Sequence, residues 1–259
     1  MTQAAPASWQ RRTLGDVLDL LIDHRGKTPG KLGGDWTSDG VPVISAIHVK
    51  DGAVDWGQRL RYVSYDMFER WMPDRVQTGD VLITSEAPLG SIAQVPDDRP
   101  LVISQRLFVL RGKKGLLDQR FLRHWLTSPS AQTQLRLRSS GSTVTGIRQA
   151  ELRRLEIPLP TEQEQQRIVE ILEDHLSRLD AAEAGMKMAT ARLERWVLAA
   201  LWRETHAHAA PTVRLDEVAE IKLGRQRSPG NHTGERMRPY LRAANVHWNR
   251  LRLGGLLHG

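Results

Sequence analysis

The spacing of apolar positions changes once along this chain, near residue 157. Before that point apolar residues come in short runs: VPVISAIHV from Val41, LRYVS from Leu60, DVLIT from Asp80, SIAQV from Ser91 and LVISQRLFVL from Leu101. Each is rich in β-branched residues and bounded by Gly, Pro or Asp, which predicts short strands of a mixed or antiparallel sheet. Two stretches have helical spacing instead. Leu14, Val17, Leu18 and Leu21 follow a β-like lead from Trp9, and Phe121, Leu122, Trp125 and Leu126 share one face of DQRFLRHWL. Asp23 to Gly40 is dense in Gly, Asp and Thr and reads as a surface loop. Leu135 to Arg148 sets small hydroxyl residues and glycines between arginines, which suits either a backbone lying close to phosphates or a plain solvated loop. Strands followed by helices place the first part in the α+β class.

After Ile157 the pattern is IPLPTEQEQQRIVEILEDHLSRLDAAEAGMKMATARLERWVLAALW. Pro158 and Pro160 keep the residues ahead of them extended, and Thr161 with Glu164 three positions later has the form of a capping box. One proline-free helix is predicted from there to about Arg203. With Leu172, Leu179, Met186, Leu193 and Ala200 at d, the a positions are Val169, Leu176, Glu183, Thr190 and Val197, a coiled-coil seam with two polar interruptions. Some forty residues at about 1.5 Å each reach roughly 60 Å, more than a compact domain of this size covers. Part of the stripe therefore needs a second helix. The expected helix-pairing residues are Val169, Leu172, Leu176, Leu179, Met186, Leu193 and Val197.

Beyond the helix ETHAHAAP reads as a linker, and the opening of the chain then returns. RTLGDV at Arg12 comes back as VRLDEV at Val213, GKTP at Gly26 loosely as RQRSP at Arg225, and VPVISAIHV at Val41 as RPYLRAANV at Arg238. These matches predict an internal duplication with boundaries at 1–160, 161–203, 204–211 and 212–259. The second copy is expected to be incomplete, and too short to fold alone.

Composition narrows the chemistry. With 259 residues, 40% of them hydrophobic, there is enough chain for one large or two modest cores. No apolar run approaches a membrane span, MTQAAPASWQRR lacks a signal-peptide core, and the absence of Cys removes disulfides and thiolate zinc sites. A reducing cytoplasm is the expected home. The net charge of +7 comes mostly from arginine, which makes nucleic acid the leading partner class, with solvated surface arginines as the alternative. The candidate DNA contacts are Arg25, Lys27 and Lys31 in the first loop and Arg136, Arg138, Ser140, Ser142, Thr143 and Arg148 in the second. Gly26-Lys27-Thr28 has the ending of a phosphate loop, but Leu21 stands where its first glycine belongs, and no buried strand is expected before it. Glu220-Ile221-Lys222 has a nuclease-like form in a repeat whose first copy lacks it. His206 and His208 have ligand spacing without a carboxylate set. No catalytic residue, metal or cofactor is expected.

The motifs together carry a resemblance. Leu14-Gly15-Asp16-Val17, GVPVI at Gly40, GDVLI at Gly79, ISQ at Ile103, SGSTVTGI at Ser140 and above all IPLPTEQEQQRIV at Ile157 make the chain similar to the specificity subunits of type I restriction-modification systems. The resemblance implies a target-recognition domain, a long spacer helix that pairs with a second, antiparallel one, and an incomplete second recognition domain. It further implies a non-catalytic subunit that binds double-stranded DNA at a bipartite site, recruits methyltransferase subunits through the helices and, through them, the restriction subunit. Pairing of spacer helices between two copies of the chain would replace the missing intramolecular pair. The alternative is a remnant that binds methyltransferase without targeting DNA.

Overall fold

The computed structural model describes residues 6, 9–50, 52–141, 145–207 and 213–220 and four two-residue strands between 239 and 258. The chain divides into two compact units, Met1–Lys187 and Met188–Gly259. The first opens with strand β1 (Gln10–Thr13), a one-turn helix α1 (Leu14–Val17) and β2 (Leu18–Asp23). The apolar spacing from Leu14 to Leu21 thus does not make one helix: Gly15 and the β-branched Val17 favour a single turn, after which Leu18 to Asp23 pair with a neighbouring strand. Strands β3 (Val41–Ile44), β4 (Val49–Lys50), β5 (Ala53–Val54) and β6 (Arg61–Val63) precede helix α2 (Tyr65–Trp71). Next come β7 (Val81–Thr84), β8 (Ile92–Gln94), β9 (Val102–Ile103) and β10 (Leu107–Gly112), then helices α3 (Gln119–Thr127), α4 (Pro129–Arg138) and α5 (Gln149–Arg153) and strand β11 (Glu156–Leu159).

The central sheet has the order β2-β10-β7-β8, antiparallel throughout. Alternate residues of its strands enter two different cores. Val81, Ile83, Phe108 and Leu110 pack with the helices on one face, whereas Leu82, Leu107 and Val109 pack on the other with α2 and the β6-β3-β9 sheet. Burial on both faces explains why DVLIT and RLFVL are apolar without alternation. In the smaller sheet β3 runs antiparallel to β6 and parallel to β9, so the fold is α+β with a mixed sheet. The turn motifs have structural duties. Gly40, ahead of β3, has φ +117°, and a Cβ there would lie 2.5 Å from the Val63 carbonyl oxygen. Asp80, buried, accepts two hydrogen bonds from Arg111, at 2.8 and 2.7 Å, and one from the Gln77 N–H, fastening the start of β7 to β10.

The long helix α6 spans Glu162–Ala207. It starts where the capping signal puts it: the Glu164 N–H donates to Thr161 Oγ1 at 3.3 Å, while the Glu164 carboxylate accepts from Trp9 Nε1 at 3.2 Å. It ends four residues later than predicted, because Glu204 to Ala207 extend the helix rather than forming linker. Val169 is fully buried in the first unit's own core. That corrects its assignment to a helix-pairing seam, since an a position this close to the docked end meets its own domain first. Past Val169 the helix is mostly exposed, with Leu172, Leu176, Leu179, Met186 and Leu193 among its exposed apolar residues and Val197 half-buried.

In the second unit a one-turn helix α7 (Leu215–Val218) precedes strands β12 (Pro239–Tyr240), β13 (Val246–His247), β14 (Arg250–Leu251) and β15 (Leu257–His258). Its local geometry resembles parts of the first unit. The residues before α1 and α7, Thr13 and Arg214, share an extended backbone near φ −70°, ψ 145°. Val246 pairs with Leu251 and His247 with Arg250, as Val49 pairs with Val54 and Lys50 with Ala53. Pro239 and Tyr240 pair with His258 and Leu257, as Pro42 and Val43 pair with Tyr62 and Arg61.

Candidate nucleic-acid interface

Sheet topology gathers the loops at one end. β2 finishes at Asp23 opposite Phe108, and β7 finishes at Thr84 opposite Leu107, so the loops after β2 and β7 and the turn before β10 meet. The loop after α4 joins them. The Ile147 N–H donates to the Ser85 carbonyl at 2.9 Å, and Ser140 and Gly146 exchange backbone hydrogen bonds at 2.9 and 3.0 Å that close the intervening segment. A polar recess of about 160 Å³ results, lined by Arg25, Ser85, Glu86, Ser140, Gly146, Ile147 and Arg148. Two loops 115 residues or more apart in the sequence thereby place Arg25, Ser140 and Arg148 at one site.

Each side chain in the recess has a distinct role. Arg25 is clamped: Nε and Nη2 donate to the two Asp23 carboxylate oxygens at 2.8 and 2.7 Å, Nη1 to the Ile147 carbonyl at 3.2 Å, and its guanidinium lies 4.7 Å over the Phe108 ring. The Asp23 hydrogen bonds, larger than the opposing effect of burial, raise its pKa. Three of its five N–H groups are thus engaged within the protein, and the side chain stays about 35% exposed. Arg148 is exposed, and Glu86 pairs with Arg106 Nε at 3.0 Å. Arg106 has φ +65°, a left-handed backbone that a residue with a side chain adopts at some cost. Ser85 is buried, and its Oγ has no hydrogen-bond partner among the described residues. His24, next to Arg25, is also buried. Desolvation first, then the Lys27 charge, lowers its pKa from 6.5 to about 4, against smaller opposing effects of Asp23 and Asp74.

The other candidates go elsewhere. Arg136 and Arg138 lie in the last turn of α4, not in a loop, where Arg136 donates to Thr133 Oγ1 and Arg138 lies 3.6 Å from Glu151. Lys27 and Lys31 donate to the Trp71 and Gly26 carbonyls. Ser142 and Thr143 lie outside the described residues, as does His208. A strand does precede Gly26-Lys27-Thr28, contrary to expectation, but a 3-10 turn at Gly30–Leu32 follows it in place of the helix a phosphate loop needs. His206 stacks on Trp202 at a 3.5 Å centroid separation. The sequence reading missed Ser85, Glu86 and Arg106. Only the polar residues closing two apolar strand patterns, after DVLIT and within LVISQR, signalled them.

At the other end of β10 the helix α6 is fixed. Gln165, buried, accepts from the Asp118 N–H at 2.9 Å and donates to the Leu116 and Pro160 carbonyls at 2.9 and 3.0 Å. Glu173 faces Arg120, Arg123 and His124 of α3 at 3.3 to 3.6 Å. The strand thus has the loop cluster at one end and the helix attachment at the other.

The family described as type I restriction modification DNA specificity domain matches residues 6–187. The chain belongs to this family. The matched span takes in the loop cluster, the sheets and the attached part of α6. Curated relatives include the type I restriction enzyme EcoBI specificity subunit of Escherichia coli, 28% identical over 190 residues, which are 73% of this chain and 39% of that protein. A putative type I restriction enzyme MjaX specificity subunit of Methanocaldococcus jannaschii is 27% identical over 175 residues, 65% of this chain and 40% of that protein. The chain spans about two-fifths of the length of each of these relatives. Among solved structures, the HsdS subunit from Thermoanaerobacter tengcongensis has a TM-score of 0.54 at 24% identity, covering 78% of this chain and 46% of that one. A chain from work on complex assembly and conformational transition of the type I R-M system has a TM-score of 0.59 at 24% identity, covering 78% and 47%. These likenesses support the specificity-domain fold. No described helix is long and apolar enough to cross a membrane.

Proposed function

We propose that this specificity-domain chain is a non-catalytic DNA reader that directs methyltransferase subunits, and through them a restriction subunit, to a bipartite site. The observation that carries the reading is the convergence of Arg25, Ser85, Glu86, Ser140 and Arg148 at the end of β10 away from the attachment of α6. A recess holding cations, a carboxylate and hydroxyls matches base edges as well as phosphates, because carboxylates accept from cytosine amines and arginines donate to guanine. Arg136 and Arg138, at the end of the helix that leads into the same loop, extend the basic surface, and Lys27 and Lys31 extend it along the first loop. The repeated strand registers support a second recognition-type domain that opens after the spacer, with domain boundaries near 160, 207 and 212.

The exposed Leu172, Leu176, Leu179 and Leu193 support a paired spacer helix, and a second copy of this chain in antiparallel, two-fold arrangement supplies a matching face. Burying a leucine is worth about 1.5 to 3 kcal/mol, enough over several on each copy to offset association entropy. Half-sites one to two turns of duplex apart, at about 34 Å per turn, follow from helices of that length. Selection from random duplexes, with and without methyltransferase, tests the reading. The expected outcome is an inverted repeat bound with strong salt dependence. Association with methyltransferase without any enriched sequence would favour the remnant. Sedimentation tests the pairing: L172E, L179E and L193E combined should give monomers, and a monomeric wild type, alone and with methyltransferase, would exclude it.

A further inference from the structure

A second concavity lies beside the loop cluster. Lys27 and Thr28, just after Arg25, and Ser104 and Gln105, just before Arg106, line a cleft of about 550 Å³, within the size range of small-molecule sites. Trp36 stands in its lining, 37% exposed, in a stretch from Gly33 to Gly40 that is exposed throughout. Its ring is tilted 54° to that of Trp71 at a centroid separation of 6.4 Å, and the Arg61 guanidinium lies 4.9 Å over it.

Two of the lining residues hold buried donors: Trp71 Nε1 and His48 Nε2 have no hydrogen-bond partner among the described residues. The Ser45 N–H donates to His48 Nδ1 at 3.1 Å, which leaves the hydrogen of the neutral ring on Nε2. Buried N–H groups are nearly always paired, so two among the lining residues suit a ligand that brings acceptors. The Asp35 carboxylate, which accepts from the Trp36 N–H at 2.7 Å, supplies an acceptor in return.

We propose that this cleft takes a single unpaired nucleobase. Trp36 and Arg61 provide the stacking layer, since every base has a π face and arginine planes stack on it as aromatic rings do. His48 and Trp71 donate to the base's ring nitrogen or carbonyl, Asp35 accepts from an amine or ring N–H, and Lys27 and Arg59 stand in the same lining for the attached phosphate. A phosphate alone would engage the cations and leave the indole and the carboxylate without purpose, whereas an apolar ligand would strand the charges. The base comes either from a duplex, turned out next to the loop cluster, or from a free nucleotide. Only the first source rests on the DNA-reading proposal.

The test uses the full chain with 15N-labelled indoles, titrated with each deoxynucleoside monophosphate and with deoxyribose 5-phosphate. At least one mononucleotide is expected to move the Trp36 and Trp71 indole resonances, with the sugar phosphate moving neither. The exposed substitutions Trp36→Ala and Arg61→Gln should each weaken that binding by about ten-fold, the scale of one lost stacking contact. Duplexes with one bulged nucleotide are then compared with paired duplexes of the same sequence. Preference for the bulge that vanishes in Trp36→Ala assigns the base to DNA, and mononucleotide binding without that preference assigns it to a free nucleotide. Silence from all mononucleotides together with no bulge preference, or equal shifts with the sugar phosphate, overturns the proposal. Salt-dependent binding of the paired duplex is read separately, so loss of the DNA reading and loss of the nucleobase site are distinguishable.

Discussion

The two ends of β10 are built on opposite terms. At Gly112 the chain meets α6 through a satisfied amide: Gln165 makes three hydrogen bonds in full burial, and Val169 fills the core beside it. At Leu107 the neighbouring loops hold a buried hydroxyl with no partner among the described residues, a left-handed arginine and an exposed one. A satisfied end fixes direction, because every alternative placement of the helix loses bonds. An unsatisfied end has interactions left to make. The contrast sets the helix attachment and the candidate recognition site at opposite ends of one strand about 20 Å long.

Breaking the satisfied end should have the largest effect. Val169→Asp buries an unpaired carboxylate in the core and is expected to destabilise the first unit by about 3 to 5 kcal/mol, read as a lower midpoint in urea unfolding. The next effect belongs to the loop end and to pH. His24 is neutral in the folded chain down to about pH 4 but titrates near 6.5 when unfolded. Its contribution is therefore complete above pH 6.5 and is lost as pH falls toward 4, by up to about 3 kcal/mol. The stability difference between wild type and His24→Gln should slope across that window and level off above it. His124, lowered first by desolvation and then by Arg123, acts in the same direction at the α3–α6 contact. Gln165→Leu, which leaves the Asp118 N–H and two carbonyls without their partner, should cost about 2 kcal/mol in thermal unfolding. Arg148→Ala should change stability by less than about 0.5 kcal/mol while lowering the salt slope of DNA binding by about one. If Arg148→Ala destabilised the fold as much as Gln165→Leu, the distinction between the ends would fail.

The sequence made the satisfied end readable and the other end only in part. Thr161 and Glu164 announced the start of α6 because capping is local chemistry, and VPVI, DVLIT and RLFVL announced strands because burial on both faces leaves few polar residues in them. Helical spacing from Leu14 misled because Leu18 joins a sheet whose partner is some ninety residues away. Val169 fitted the heptad and was taken by the core, since a heptad records which face is apolar and not what covers it. Arg25 and Arg148 were recognised as loop residues, but their meeting depends on backbone bonds from Ser85 to Ile147 and Arg106 that no local pattern contains. Glu86 and Arg106 went unnoticed for the same reason. Trp36 offered a cue that was not used, a large aromatic residue in a loop with no core of its own.

The matched hairpins of the two units have a consequence for how such a chain can change. Val49 and Val246 coincide, but Lys50, Ala53 and Val54 stand where the second unit has His247, Arg250 and Leu251, and the pairing register is nevertheless the same. The same local backbone pairing is thus met by different residues in the two units. Because backbone groups carry that pairing, side chains at these positions can change while the register stays as it is.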